Sequence, residues 1–405
     1  MLSIRRAIVL LSLPLAGCGE RQFVQECQPF ELPNETLSLS TPPFAQVRRE
    51  VARLRFETTQ LLDIRVRFEL PGARCAVVRQ PETAYLEKHG GDHFRYTLSA
   101  DLNSEVDVEG EAVVPWAVLS APTEDAHPSG TFRVPTASSQ DFTVVVAAHL
   151  APPVQGELMR RAAESEPDLL ILNGGFVGTT SEPDRFSALM TDLVPVTTQA
   201  LVHAVAGAVD RQDPEAYAER FAWTFEGQGR AGGSEHYQSL DLAGIRWIFL
   251  DGEDPRLDSS TGVQRGWLDR ELADVTSAAH LKEAVVVLHR GPFGLTSDVP
   301  NVDLRDTLLP VLAENGVRLM IQSTGKVFEH YVSQGVVVLN EGGGGAALGD
   351  PDHRVDRDPD AVQARLLASA SYRFLRFEVR RTGEIRWSRV LEDGSELTFG
   401  VLDAL

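Results

Sequence analysis

The sequence predicts a layered α/β protein preceded by a small all-β unit, and three observations carry that expectation. From Phe142 onward, apolar runs alternate with helical candidates over roughly 250 residues, as a parallel sheet covered by helices requires. Between about residues 45 and 137 the apolar residues instead alternate one by one with polar ones, as in Ile64, Val66 and Phe68 against Arg65, Arg67 and Glu69. That period of two belongs to half-buried strands. Finally, a chain of 405 residues that is 43% hydrophobic can bury more than one core.

The first seventeen residues, MLSIRRAIVLLSLPLAG, combine Arg5 and Arg6 with an apolar run too short to cross a bilayer, and read as an export signal. Leu15-Ala16-Gly17-Cys18 resembles the lipobox of bacterial lipoproteins, which implies a lipid-modified Cys18 at the mature N-terminus. Gly19 stands where such lipoproteins often carry an aspartate for inner-membrane retention, so the expected location is the outer membrane, facing the periplasm or the exterior. An ordinary secretory signal with an incidental cysteine is the rival reading. Cys27 and Cys75 are the other two cysteines, and export makes a disulfide between them available; two free thiols are the alternative, because sequence gives no Cβ separation.

Residues 18–44 are polar and punctuated by proline, and read as a tether. VARLRFE, LLDIRVRFEL, CAVVRQ, HFRYTLSADL, VDVEGEAVVPWAVL and GTFRVP then supply short strands for a β-sandwich over 45–137. In the second unit, 140–401, TVVVAAHL, GELMRRAAESE and DLLILNGG read as strand, helix and strand, a crossover unit. GIRWIFLDG, EAVVVLHRGPF, VRLMIQSTG and GVVVLNEGGGG are further strands, with QRGWLDRELADVTSAA and LLPVLAENG as helices between them. The tail adds strands joined through Thr382-Gly383 and Asp393-Gly394. Trp247, Trp267 and Trp387 fall in these packed elements and are expected in the core, and GGGG at 342–345 reads as a flexible turn rather than a phosphate loop.

Fifty-eight acidic residues against 38 basic ones leave a net charge of −20, which repels nucleic acid and anionic lipid surfaces. Chemistry is therefore sought in the loops that end the apolar strands. They offer His149, the amide of Asn173, Asp210, the pair His289 and Arg290, and Lys326 beside Thr324. A two-metal hydrolase needs several carboxylates and imidazoles, including one ligand that bridges the ions. His149, Asp210 and His289 hold at most one zinc ion, and only if they converge.

The order and spacing of GTFRVP, DLLILNGG, QRGWLDREL, VVVLHRGPF, VRLMIQSTGKVFEHY and GGGG resemble the calcineurin-like metallophosphoesterases, and among them the purple acid phosphatases. The resemblance runs best over residues 115 to 350. It implies a four-layer α/β sandwich preceded by a small fibronectin-like β-sandwich. It also implies a metal site, whose motifs are largely lost. Asp-x-His falls on Ala147-Ala148-His149, Gly-Asp on Gly174-Gly175, and Gly-Asn-His-Asp/Glu on Gly207-Ala208-Val209-Asp210. The isolated metal histidine corresponds to His289, whereas Gly-His-x-His falls on Ser323-Thr324-Gly325-Lys326. Val327-Phe328-Glu329-His330 still resembles the Val-Tyr-Glu-Arg that follows in purple acid phosphatases.

Loss of even a group that only supports a metal ligand costs about 10 to 100-fold in affinity or activity. Here the ligands themselves are replaced, at Ala147, Gly175, Ala208, Thr324 and Lys326. The expectation is an exported, non-catalytic phosphoesterase relative without a cofactor, used for binding an anionic ligand or a protein partner. Lys326, Arg290, His289, Asp210 and His149 are its candidate binding residues. The alternative is a divergent phosphoesterase in which Lys326 and Arg290 replace metal charge, or in which His149, Asp210 and His289 form an unusual metal site. For the lipid anchor, Cys18→Ser is expected to move the protein from the membrane fraction to the soluble one in a lipoprotein-competent bacterium; equal partitioning of parent and variant counts against the tether.

Overall fold

The computed structural model describes residues 37, 39–48, 51–69, 76–85, 94–101, 112–120, 128–134, 141–175, 183–212, 214–221 and 236–403. The leader, Cys18, Cys27 and Cys75 lie outside the described residues.

The N-terminal strands are β1 (Leu39–Arg48), β2 (Val51–Thr58), β3 (Arg65–Phe68), β4 (Val77–Arg79), β5 (Glu82–Tyr85), β6 (Phe94–Asp101), β7 (Ala112–Leu119) and β8 (Ser129–Val134). After them come β9 (Phe142–Ala147), α1 (Gln155–Glu164), β10 (Leu169–Asn173), α2 (Pro183–Thr197), β11 (Leu201–Val205) and α3 (Pro214–Phe221). The third stretch holds β12 (Gln238–Leu242), β13 (Ile245–Leu250), α4 (Val263–Ser277), β14 (Glu283–Leu288), α5 (Leu304–Thr307), α6 (Leu309–Glu314), β15 (Leu319–Gln322), β16 (Phe328–Ser333) and β17 (Val336–Asn340). Last are α7 (Pro359–Ala364), β18 (Arg365–Ser369), β19 (Arg373–Val379), β20 (Ile385–Leu391) and β21 (Glu396–Leu402).

Among the described residues these strands form three sheets, in the orders β21-β20-β19-β9-β10-β11-β1-β2-β6-β5, β12-β13-β14-β15-β17-β16-β18, and β4-β3-β7-β8. The first two face each other. Val144, Val146, Leu169 and Ile171 of one sheet share a core with Trp247, Phe249, Val285 and Leu319 of the other. Their strand neighbours Val145, Leu170 and Leu172 point outward to Leu158 of α1 and Leu189 of α2. On the opposite side Ile248, Val286 and Met320 pack against Leu268 and Leu272 of α4. Both faces of each central strand are thus covered, which explains why these strands read as unbroken apolar runs. The result is helix, sheet, sheet, helix.

Leu39 to Phe44, read from sequence as part of the tether, instead begin a strand of the large sheet. β1 pairs antiparallel with β2 and parallel with β11 at Ala45 and Leu201. Pro42 and Pro43 are accommodated by register shifts between Leu39 and Phe44, where a missing N–H costs the ladder nothing further. Phe44 is buried beside Phe221 at 6.0 Å between ring centroids. The β-rich segment therefore shares a sheet with the α/β layers, and the four-stranded sheet closes over its far end: Phe56 and Leu98 are in the same core as Phe68, Trp116 and Phe132.

A buried polar cluster fixes that junction. Glu57 accepts from Thr41 Oγ1 at 3.0 Å and pairs with Arg220 Nε at 3.4 Å, and Arg220 lies over the Phe186 ring at 3.9 Å. Arg55 and Gln46 donate to the carbonyls of Arg220 and Phe221 at the end of α3. Removing one partner of such a pair strands a buried charge. Glu57→Gln is expected to lower unfolding stability by about 3 kcal/mol, read as a shifted urea midpoint; a midpoint within error of the parent contradicts this account.

Candidate functional site

The parallel strands β9, β10, β11 and β13, β14, β15 deliver their C-terminal ends to one rim. A cleft of about 380 Å³ opens there. His149, Gly175, Ala208 and Val209 line it from the first sheet; Glu253, His289, Arg290, Ser323 and Lys326 line it from the second. Asp298, Val299 and Ala346 complete the wall. His149, His289, Arg290 and Lys326, singled out from sequence, are thus brought together.

Both imidazoles are buried and tied to main chain of the opposite sheet. His149, just past β9 with φ +53°, places Nε2 2.9 Å from the Ser323 carbonyl beyond β15. His289, just past β14, places Nδ1 2.9 Å from the carbonyl of Asn173 at the end of β10. Asn173 returns the contact by donating Nδ2 to the Leu288 carbonyl at 3.1 Å. Carbonyl oxygens only accept, so the facing ring nitrogens carry the protons. The rings lie 5.1 Å apart, centroid to centroid. Burial holds His149 down at about 4, opposed by its bond to Ser323; burial, then the His149 neighbour, hold His289 at about 3. Each is neutral near pH 7.

Asp210 does not join them, contrary to the expectation from sequence. It is wholly buried and absent from the cleft wall, with Oδ2 accepting from Gly175 N at 2.8 Å and Gly207 N at 2.9 Å. Its carboxylate ties two strand-end loops together and offers the cleft neither a base nor a ligand. Two acidic lining residues escaped the sequence reading. Glu253 sits 3.7 Å from Arg290, and Asp298 sits 3.5 Å from Lys326. Burial raises the Glu253 carboxyl, with Arg290 opposing. The available signal was position: Asp251-Gly252-Glu253 follows β13 as closely as His289-Arg290 follows β14.

The donor set does not fit a metal pair. A Cβ at Gly175 would lie 2.5 Å from His149 Nδ1, one at Gly174 2.3 Å from His289 Nδ1, and one at Gly207 2.7 Å from His289 Nε2. The histidine rings occupy the space that a carboxylate at 175 requires. Among the described residues no three His, Cys, Asp or Glu side chains group as one ion would need, so His149, Asp210 and His289 do not form the single-metal alternative either.

Gly342 to Gly345 are also not a flexible turn. A Cβ at Gly342 would meet the Gly325 carbonyl at 2.0 Å, and one at Gly344 the Ala148 carbonyl at 2.2 Å. Main chain crosses main chain behind the cleft, held by Gly344 N to Ala148 O and Ala346 N to His149 O, each 3.0 Å.

The two neutral imidazoles set a pH dependence. Their folded values lie below the unfolded value of about 6.5, so the unfolded chain binds more protons and stability falls as pH drops below that point toward 4 and 3. Each contributes up to about 1.4 kcal/mol per pH unit over that window. His289→Asn, which keeps a donor toward the Asn173 carbonyl, is expected to flatten the loss between pH 6.5 and 4 in urea titrations; an unchanged slope argues against it.

No protein-family model and no curated protein matches this sequence. Among solved structures, the purple acid phosphatase PPD1 from yellow lupin (Lupinus luteus) seeds superposes with a TM-score of 0.70 at 10% identity, covering 89% of this chain and 74% of that one. GAP50, the anchor in the inner membrane complex of Plasmodium, gives a TM-score of 0.45 at 13% identity, over 65% of this chain and 89% of its own. What the lupin enzyme and this chain share, across two facing sheets with helices outside, is architecture: the chain has the calcineurin-like metallophosphoesterase fold in the form that purple acid phosphatases take.

Proposed function

We propose that this chain is an envelope-tethered, non-catalytic protein built on the metallophosphoesterase fold, whose strand-end cleft binds a small polar ligand. One observation carries the reading. The His149 and His289 rings are turned onto carbonyls and fill the volume beside Gly174, Gly175 and Gly207, where a metal pair would need carboxylates. An active phosphoesterase of this type requires ions that lower the pKa of an attacking water and neutralise the charge developing on phosphate. Among the described residues there is neither a bridging carboxylate nor a converging ligand set. The cleft itself persists, with Lys326 and Arg290 at its mouth. Attachment through Cys18 to the bacterial outer membrane belongs to the same proposal, supported by the basic and apolar leader that ends in Leu15-Ala16-Gly17-Cys18.

Purified protein incubated with Zn, Mn or Fe is expected to retain no stoichiometric metal and to hydrolyse phosphomonoesters and phosphodiesters at background rate. Bound metal with turnover that His289→Ala abolishes overturns the non-catalytic reading. Restoring the carboxylate alone, as Gly175→Asp, is expected to give no activity and to cost about 1–3 kcal/mol, because the His149 ring must leave its bond to Ser323. Elemental analysis and urea unfolding of that variant check both parts.

A further inference from the structure

The hydrogen bonds at the cleft floor restrict what can enter it. His149 donates through Nε2 and His289 through Nδ1, so in the neutral rings His149 Nδ1 and His289 Nε2 carry lone pairs. Among the described residues neither of these nitrogens has a hydrogen-bond partner, although the side chains are more than nine-tenths buried and line the cleft. Lone pairs repel an anion and seek a donor. Glu253, also an acceptor, is the more buried of the cleft's carboxylates, 15% exposed against 41% for Asp298.

The mouth has the opposite character. Lys326 and Arg290 are 37% and 40% exposed. Their ion pairs, at 3.5 and 3.7 Å, are loose beside surface pairs elsewhere such as Arg365 to Asp352 at 2.6 Å. Pairs of that length yield to a competing group at small cost. A lone anion would leave the floor acceptors unanswered, and a lone cation would leave the mouth unused.

We infer that the cleft takes a small zwitterion, amine end first, with its N–H groups on His149 Nδ1, His289 Nε2 and Glu253 and its anionic end between Lys326 and Arg290. A cleft of about 380 Å³ has room for such a molecule. The inference rests on the binding role proposed above and names the ligand class for the same site.

The test uses the full mature protein and titration calorimetry with glycine, 4-aminobutanoate and 2-aminoethyl phosphate. Each is paired with its N-trimethyl counterpart, which keeps the charge and loses every N–H, and with acetate, butanoate and orthophosphate as anions without an amine. At least one of the amines is expected to bind, its N-trimethyl partner at least about tenfold more weakly, and the matching simple anion more weakly still. Glu253→Gln is expected to weaken the amine about tenfold while circular dichroism stays unchanged. Histidine ¹⁵N spectra should show His149 protonated at Nε2 and His289 at Nδ1, with the bare nitrogens shifting on binding. Simple anions binding as tightly as the amines, equal binding of the trimethyl analogues, or no binding by any probe overturns the zwitterion. Phosphoester turnover with bound metal overturns the non-catalytic reading instead, so the two failures are distinguishable.

Discussion

Two imidazole-to-carbonyl hydrogen bonds hold the open ends of the two sheets together, and the cleft depends on them. His149 reaches from the end of β9 to the chain beyond β15, and His289 reaches from the end of β14 back to Asn173 on β10. Asn173 and the Leu288 carbonyl add a third crossing at the same level. Within each sheet the strands are paired by ladder bonds, and between the sheets the apolar core adds packing that has no preferred direction. The histidines give that gap a fixed geometry. Each bond is buried, where an unpaired carbonyl would cost about 1–3 kcal/mol, so the rings are held in place by what their departure would expose.

The same arrangement decides the electrostatics. Removing an imidazolium from water is costly unless an opposite charge is close. Among the described residues the hydrogen-bond partners of these rings are carbonyl dipoles, with Lys326 nearby as a further discouragement to positive charge. Neutrality leaves each ring one N–H, given to a carbonyl, and one lone pair free to accept. Asp210 is tied to main chain in a parallel way. A carboxylate receiving two backbone N–H groups is a loop staple, and its charge is spent on local order.

Much of the architecture was legible in the sequence because the central strands are covered on both faces. TVVVAAHL, DLLILN, IRWIFL and EAVVVL carry enough apolar residues to be read without context, and QRGWLDREL shows its buried face at Trp267, Leu268 and Leu272. Other elements were not legible, for particular reasons. β1 contains two prolines and reads as linker, yet it is a strand because it bulges around them while β2 runs on opposite. α2 was hidden by Pro195 within its last turn. At the site, His149, His289, Arg290 and Lys326 were visible as strand-end residues, but sequence could not show that Asp210 turns inward or that Glu253 and Asp298 stand opposite the cations. Those are facts about loop paths, which no residue period encodes.

The crossing of Gly342 to Gly345 over Gly325 and Ala148 has one more consequence. A cleft backed by main chain is insensitive to side-chain turnover, because the position of that backing is set by carbonyl and amide groups that every residue shares. Ligand-bearing positions beside it can drift through many substitutions while the cavity keeps its outline. The glycines themselves cannot drift, since any Cβ there would strike a backbone carbonyl. Shape and chemistry at this cleft are therefore set by different groups, main-chain carbonyls and amides for the one and His149, His289, Arg290 and Lys326 for the other.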